Sequence, residues 1–522
     1  MPTDIAFQAS LAALPILTIL IPILGFRASA ASAGLAGLAV ALVVAWAFFG
    51  FGTTRHGELG PLVLAAGAMV KAVITAATIL WIIIPALCIY QLQRRTGALE
   101  VLQASIGRIS GDPLIIAILV AWFFTLFLEG AAAFGSTIAL AAPFLVSYGY
   151  KPAEAVAIVL IGHAVGASFG ALGTPVIPMT DATGLSPVTL SASIGLYHSL
   201  LGWMPLAAVM IYASRALKCA GKAAMARGTG WGWSTLAAVL FLGPFYLTSR
   251  FVGPELSNMV GAAGGGLVFV LLYRMLGRPS ARPDSAAKPG SGDAQRMHVL
   301  QAAAPYLILI ILVLATRLIP PLQRSLSSVV WEWSILGIFS GRFQPLYQPG
   351  TLLFIALFLG ALVKRASLAD LGAALGQSLR QVVPVTIALV AMLGVSKVMG
   401  YAGMIDSLAA AAAALAGGAW PLVTPFVGML GTFMTGSATA SNILFTELQV
   451  TTAMDLGLTR EPLLGAHGFG AGAGNGIALQ NIIAGGATVG LSGQEGLVLR
   501  RTLPVILLYT ALGGLIAFLL VR

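Results

Sequence analysis

The sequence predicts an all-α polytopic membrane protein, with ~12–14 transmembrane helices and several broken or re-entrant ones. Three observations carry that expectation. The chain has 522 residues, of which 58% are hydrophobic and 9% charged, with a mean hydropathy of +0.95. A soluble domain carries about 25% charged residues. Apolar runs suited to helical spans begin near residues 10, 34, 61, 113, 132, 153, 190, 234, 256, 302, 350, 382, 404, 420, 440, 462 and 502. Glycine contributes 62 residues and proline 27, too many for a plain helical bundle. This composition excludes disordered, collagen-like and disulfide-scaffold classes. The short alternating segments of a membrane β-barrel are absent, and uniform runs such as Leu114–Leu128 argue for helices.

Taken in order, the run Leu11–Leu24 leads straight to Arg27 with no basic leader and no clear cleavage site, so it reads as an uncleaved first span. Residues 1–112 form N-terminal scaffold helices. Residues 113–213 form a first repeat core, and 214–276 return to scaffold. Residues 277–299, with Pro279, Pro283 and Pro289, read as a cytoplasmic linker. Residues 300–381 are scaffold again. Within them, 320–349 is an interfacial segment with Trp331, Trp333 and Tyr347 at headgroup level. Residues 382–522 form a second repeat core.

The net charge of +11 comes from Lys and Arg gathered in short connectors, such as Arg94, Arg95 and Arg108, or Lys364 and Arg365. That is the positive-inside distribution, so the partner is a lipid bilayer and not nucleic acid. It fits a multi-pass chain whose basic connectors lie on the cytoplasmic side. Cys88 and Cys219 are the only cysteines, which leaves no disulfide framework or cysteine metal site.

Self-similarity is the most informative feature. Phe127-Leu-Glu-Gly130 and Phe433-Met-Thr-Gly436 each open a run of small residues followed by an apolar helix. Each is followed by a span with one histidine in a glycine frame: Gly162-His163-Ala-Val-Gly166 and Ala466-His467-Gly-Phe-Gly470. Both close on Gly-Leu-Ser, and the spacing from Gly130 to Gly184 equals that from Gly436 to Gly490. Duplicated halves with interrupted helices at matching positions point to a secondary-transporter site at the bilayer midplane.

The chemistry follows from the breaks. A helix beginning after a glycine exposes unpaired N–H groups and a partial positive charge, which suits a carboxylate. Gly130, Gly135, Ser136 and Thr137 at the first break are therefore expected substrate-binding residues. So are Gly436, Ser437, Thr439, Ser441 and Asn442 at the second, together with Asn475 and Gln480. Close helix packing through small residues is the alternative reading of these segments. Ionisable residues inside spans are costly and usually functional. Glu129, His163 and His467 are thus expected to carry protons, against the alternative of structural hydrogen bonding. Walker and metal-ligand constellations are missing, and Gly166-Ala-Ser-Phe-Gly170, which fits the nucleophile-elbow letters, falls inside a membrane span without strand-turn-helix context, so neither a cofactor nor an enzymatic activity is expected. A small organic anion is the expected substrate and H+ the coupling ion. Na+ is the alternative, because carbonyls at broken helices suit it. A second reading is an ion-conducting membrane subunit of a larger complex.

These residues resemble the lactate permease family. Phe127-Leu-Glu-Gly-Ala-Ala-Ala-Phe-Gly135 is similar to the family signature FLEGAAGFG. Phe169-Gly-Ala-Leu-Gly-Thr-Pro175, Gly253-Pro-Glu-Leu256 and Gly436-Ser-Ala-Thr-Ala-Ser-Asn442 follow in the family's order, the last similar to GSDTSSN. The resemblance implies proton symport of L-lactate, or a related 2-hydroxy monocarboxylate such as glycolate, into the cell across the inner (plasma) membrane. It also implies inverted repeats moving by an elevator mechanism against a scaffold, an arrangement compatible with a homodimer. The chain departs from the family pattern at three places. Ala438 stands where the family has Asp, Asn475 where it has Lys, and His163 where Asn is common.

Overall fold

A computed structural model of the chain describes residues 3–26, 28–53, 59–131, 136–219, 227–277, 297–491 and 493–521. The expected linker lies almost entirely outside them. Helices α1 (Thr3–Phe26), α2 (Ala30–Phe48) and α3 (Pro61–Arg95) open the chain, followed by the short α4 (Ala98–Gly107). Ser29 caps α2 by accepting from the Ser32 amide, and Pro61 starts α3 at a position where a missing N–H costs nothing.

The first broken segment contains α5 (Pro113–Ala131), α6 (Ser136–Ser147), α7 (Pro152–His163), α8 (Val176–Thr183) and α9 (Pro187–Leu201). Next come α10 (Trp203–Cys219), α11 (Arg227–Phe251), α12 (Ser257–Leu276), α13 (Val299–Leu318) and α14 (Pro320–Ser327). A hairpin of β1 (Trp331–Ile335) and β2 (Phe339–Phe343) interrupts the helices, paired antiparallel from Trp331↔Phe343 to Ile335↔Phe339. Two helices follow, α15 (Pro349–Lys364) and α16 (Leu368–Ala402), then α17 (Met404–Ala416). The second broken segment has α18 (Trp420–Thr435), α19 (Ala438–Asp455), α20 (Arg460–Gly474), α21 (Leu479–Thr488) and α22 (Glu495–Leu520).

Among the described residues, nine helices are long and apolar enough to cross a membrane, or eleven if two bent pairs each count as a span. Apolar runs alone suggest more. They include short helices such as Thr137–Ser147 and Pro349–Lys364, and segments that glycine breaks into pieces too short to cross alone.

Two bodies emerge from the packing. In one, α16 lies along α2 and α3, and α1 packs on α2, burying Ala41, Ile79 and Leu393. Both α13 and α15 close on the other half of α3 through Tyr306 and Leu353. In the other, the two broken segments share a core that includes Trp122, Ile158, Phe469 and Tyr509. The aromatic faces of α11 and α12 (Phe241, Phe245, Phe269) bury here against α5. Residues 214–276, expected as scaffold, thus pack with the first repeat core. Residues 382–402, expected with the second core, run along the N-terminal helices.

The interfacial segment is more ordered than its aromatic content suggests. Leu336 and Gly337 both adopt positive φ and return the chain into β2. Phe339 is fully buried against α3 and against Tyr401 of α16, at 4.9 Å between ring centroids. Gly67 makes room for it, since a Cβ there would stand 2.1 Å from the Phe339 ring.

Candidate functional site

Both broken segments follow one plan: a helix ending at a break, a second helix, a third helix ending in a glycine-rich irregular stretch, then a short helix and a long one. The first and third helices approach closely through glycine. A Cβ at Gly162 would lie 2.0 Å from the Ala121 carbonyl oxygen, and one at Gly470 would lie 1.9 Å from the Pro425 oxygen. The segments also exchange partners. Short helix α8 packs on α19 of the other segment, and α21 packs on α6.

A cavity of about 900 Å³ lies between the two bodies. One wall is the beginning of α19. Gly436 turns the chain with φ of 70°, Ser437 caps the helix by accepting from the Ala440 amide at 3.3 Å, and Ala438 and Thr439 form its first turn. The first N–H groups of a helix have no intrahelical acceptor, so they face the cavity as donors with a positive partial charge. The break Asn475–Ala478 and the start of α21 form the adjoining wall. Asn481 donates to the Asn475 side chain at 2.8 Å, and Gln480 is exposed to the cavity beside Gly436.

The opposite wall carries Glu129 and His163. Glu129 lies near the end of α5, whose middle, Leu119–Phe124, is a widened π-helical stretch of the kind often found near functional sites. Nδ1 of His163 stands 3.4 Å from Oε2 of Glu129, and Thr137 donates to the same oxygen at 3.4 Å. Both members of the pair are almost completely buried.

Sequence-expected residues therefore divide. Glu129, His163, Gly436, Ser437, Thr439, Asn475 and Gln480 line one cavity. Thr137 supports Glu129 from behind. Gly130 is packed against Asn258 and Met259, where a Cβ would sit 2.6 Å from the Asn258 Cβ, so it serves helix contact. Ser441 donates to the Gly428 carbonyl, and Asn442 to the Pro175 carbonyl, each at 2.8 Å, so both tie helices together outside the cavity wall. His467 is fully buried away from the cavity, and neither ring nitrogen has a hydrogen-bond partner among the described residues. Gly135 and the Ser136 side chain fall outside the described residues.

Residues outside the expected binding and proton-carrying sets complete the site. Arg94 of α3 is an exposed cation in the cavity lining, held over the Tyr90 ring at 5.9 Å. Asn258 braces the irregular stretch after α7, donating to the carbonyls of Gly166 at 2.7 Å and Phe169 at 3.2 Å. A relay joins the two broken segments. The single Ser168 proton goes to the Gly468 carbonyl at 2.8 Å, so His198 donates from Nε2 to Ser168 at 2.7 Å and accepts at Nδ1 from Tyr509 at 2.8 Å. His198 is thereby a neutral structural histidine. A lone amide in the apolar span Ser257–Leu276 is the available signal for Asn258; a histidine within a span is the local sign of the relay, and its partners Ser168 and Tyr509 are not marked.

Broken helices in a polytopic helical protein, enclosing a cavity with an open helix N-terminus and a buried acid, define a membrane transporter. Comparison with known sequences narrows this class. The chain belongs to the L-lactate permease family, whose model matches residues 8–522. Its members are multi-pass plasma-membrane transporters, not enzymes. The chain is 30% identical to an L-lactate permease of Streptococcus iniae, over 87% of this chain and 92% of that one. It is 27% identical to the L-lactate permease of Escherichia coli K12, over 99% and 96% of the two chains. Identity to the glycolate permease GlcA of the same organism is 27%, over 84% of each chain. Among solved structures the fold is similar to that of Neisseria gonorrhoeae MtrF, with a TM-score of 0.51, 13% identity and 94% of each chain covered. At that identity the likeness is one of fold.

Proposed function

We propose that this protein imports L-lactate, or a related small 2-hydroxy monocarboxylate such as glycolate, by proton symport across the inner membrane. The observation that carries the reading is the opening of the α19 N-terminus, Gly436–Ala440, onto the same cavity as the buried Glu129–His163 pair. The substrate carboxylate accepts from the first-turn amides of α19, where no fixed countercharge is needed. Gln480, Asn475 and Thr439 are placed to hold the hydroxyl. Glu129 carries the proton, with His163 beside it. Ala438 and Asn475, which stand where the family pattern has Asp and Lys, both line this cavity, consistent with loss of an ion pair at the binding site. The reciprocal packing of α8 on α19 and α21 on α6 supports reading the segments as inverted repeats that move together against the N-terminal bundle.

Purified protein in liposomes should accumulate labelled L-lactate when the outside is made acidic, and a protonophore should abolish accumulation. Accumulation that persists with protonophore but stops when choline replaces sodium would assign the coupling to Na+.

A further inference from the structure

At the end of the molecule away from the cavity mouth, four charged side chains meet between the two bodies. Lys397 of α16 contacts Glu447 of α19 at 3.1 Å and Asp181 of α8 at 3.3 Å. Lys71 of α3 contacts the other Asp181 oxygen at 3.6 Å. Both lysines belong to the N-terminal bundle and both carboxylates to the broken segments, one from each. The charges balance across the interface instead of within either body. Lys397 and Lys71 are 8% and 14% exposed, so these are not solvated surface pairs.

The site is built to hold this arrangement. Gly400 leaves the space that the Glu447 carboxylate occupies, since a Cβ there would lie 2.6 Å from Oε2. Lys71 also donates to the Ser340 carbonyl at 2.6 Å and lies 5.8 Å from the Trp333 ring. The β-hairpin that supplies both contacts is pinned to the bundle by Phe339.

Position gives the cluster its role. The cavity follows α3 from Arg94 to Leu87 and α16 from Gln381 to Met392. Lys71 is about 35 Å along α3 from Arg94, at 1.5 Å per residue, a span comparable with the hydrocarbon core. Lys397 lies just over one helical turn beyond Met392. The cavity lining includes Arg94, beside Arg95 at the C-terminal end of α3, and this basic end places the mouth on the cytoplasmic side. We infer that Lys71, Asp181, Lys397 and Glu447 form an ionic gate that closes the extracytoplasmic side of the cavity, with the β1–β2 hairpin as its cover, and that the gate parts when the broken segments move to admit substrate. This rests on reading the chain as an alternating-access transporter.

A reporter cysteine at the cavity wall, Ala388→Cys, in a Cys88→Ala, Cys219→Ser background tests the gate in right-side-out and inside-out vesicles. A membrane-impermeant maleimide should label the gate-intact protein from the cytoplasmic side. With Glu447→Gln or Lys397→Met, labelling from outside should rise about tenfold as the population shifts, and cytoplasmic labelling should fall. The charge exchange Lys397→Glu with Glu447→Lys should restore the original pattern and controls for misfolding. Unchanged labelling from both sides in the single variants, with transport intact, overturns the gate. A labelling shift without uptake of any tested monocarboxylate would keep the gate and reject the substrate assignment.

Discussion

Oε2 of Glu129 stands 3.4 Å from Nδ1 of His163, and the two residues come from the ends of different helices that meet only because Gly162 lets α7 press onto α5. The pair is buried yet reaches the cavity, which is what a proton carrier coupled to a bound anion requires.

Glu129→Gln keeps the shape and removes the titrating group. Proton-driven uptake of L-lactate should fall about tenfold or more, the scale of losing a charged hydrogen bond, while lactate–lactate exchange persists. Uptake and exchange in the same proteoliposomes check this. Equal loss of both would make Glu129 a structural residue.

Ala438 begins α19 at the cavity, where a carboxylate would compete with the substrate for the same amides. Ala438→Asp should weaken lactate binding about tenfold, and adding Asn475→Lys should recover most of it by restoring a countercharge. Thermal-shift titration with L-lactate measures both variants.

Glycine packing between the first and third helices of each segment leaves no room for a methyl group. Gly470→Ala, against the Pro425 carbonyl, should destabilise the protein by about 3 kcal/mol or more through overpacking. Gly490→Ala is strained locally but meets no neighbour within 4 Å, so its melting temperature in detergent should fall less.

The relay from Tyr509 through His198 and Ser168 to Gly468 ties the two broken segments into one body. Ser168→Ala removes two buried hydrogen bonds and should cost about 1–3 kcal/mol, read as a lower melting temperature. His198→Gln should lose transport in proportion to stability, with the pH profile of uptake unchanged, since the histidine is neutral and structural.

Much of the fold is legible in the sequence because its signals are local. Apolar runs mark the helices, and Gly436 followed by Ser437 marks a helix start that lies at the cavity. Pairings across the chain are not legible. Glu129 and His163 are both visible in sequence, but their contact depends on the close approach at Gly162. Matching repeat positions mislead at His467, because equivalent sites in the two segments face different neighbours: His163 reaches the cavity, and His467 lies behind α19 beside Phe445. In sequence Lys71 reads as a charge that snorkels or pairs with a carboxylate, and Lys397 as a charge near a helix break; which carboxylates they meet is not legible, because Asp181 and Glu447 approach them only in the folded assembly. The strands between Trp331 and Phe343 read in sequence as an interfacial segment, since their aromatic content signals membrane depth more strongly than it signals pairing.

The most direct test places a pH-sensitive dye inside proteoliposomes holding the purified protein, in sodium-free buffer without an imposed gradient. Adding L-lactate outside should acidify the lumen at a rate that saturates with lactate, and Glu129→Gln should cut that rate about tenfold or more. Saturable lactate uptake with no lumenal pH change would contradict proton symport through Glu129.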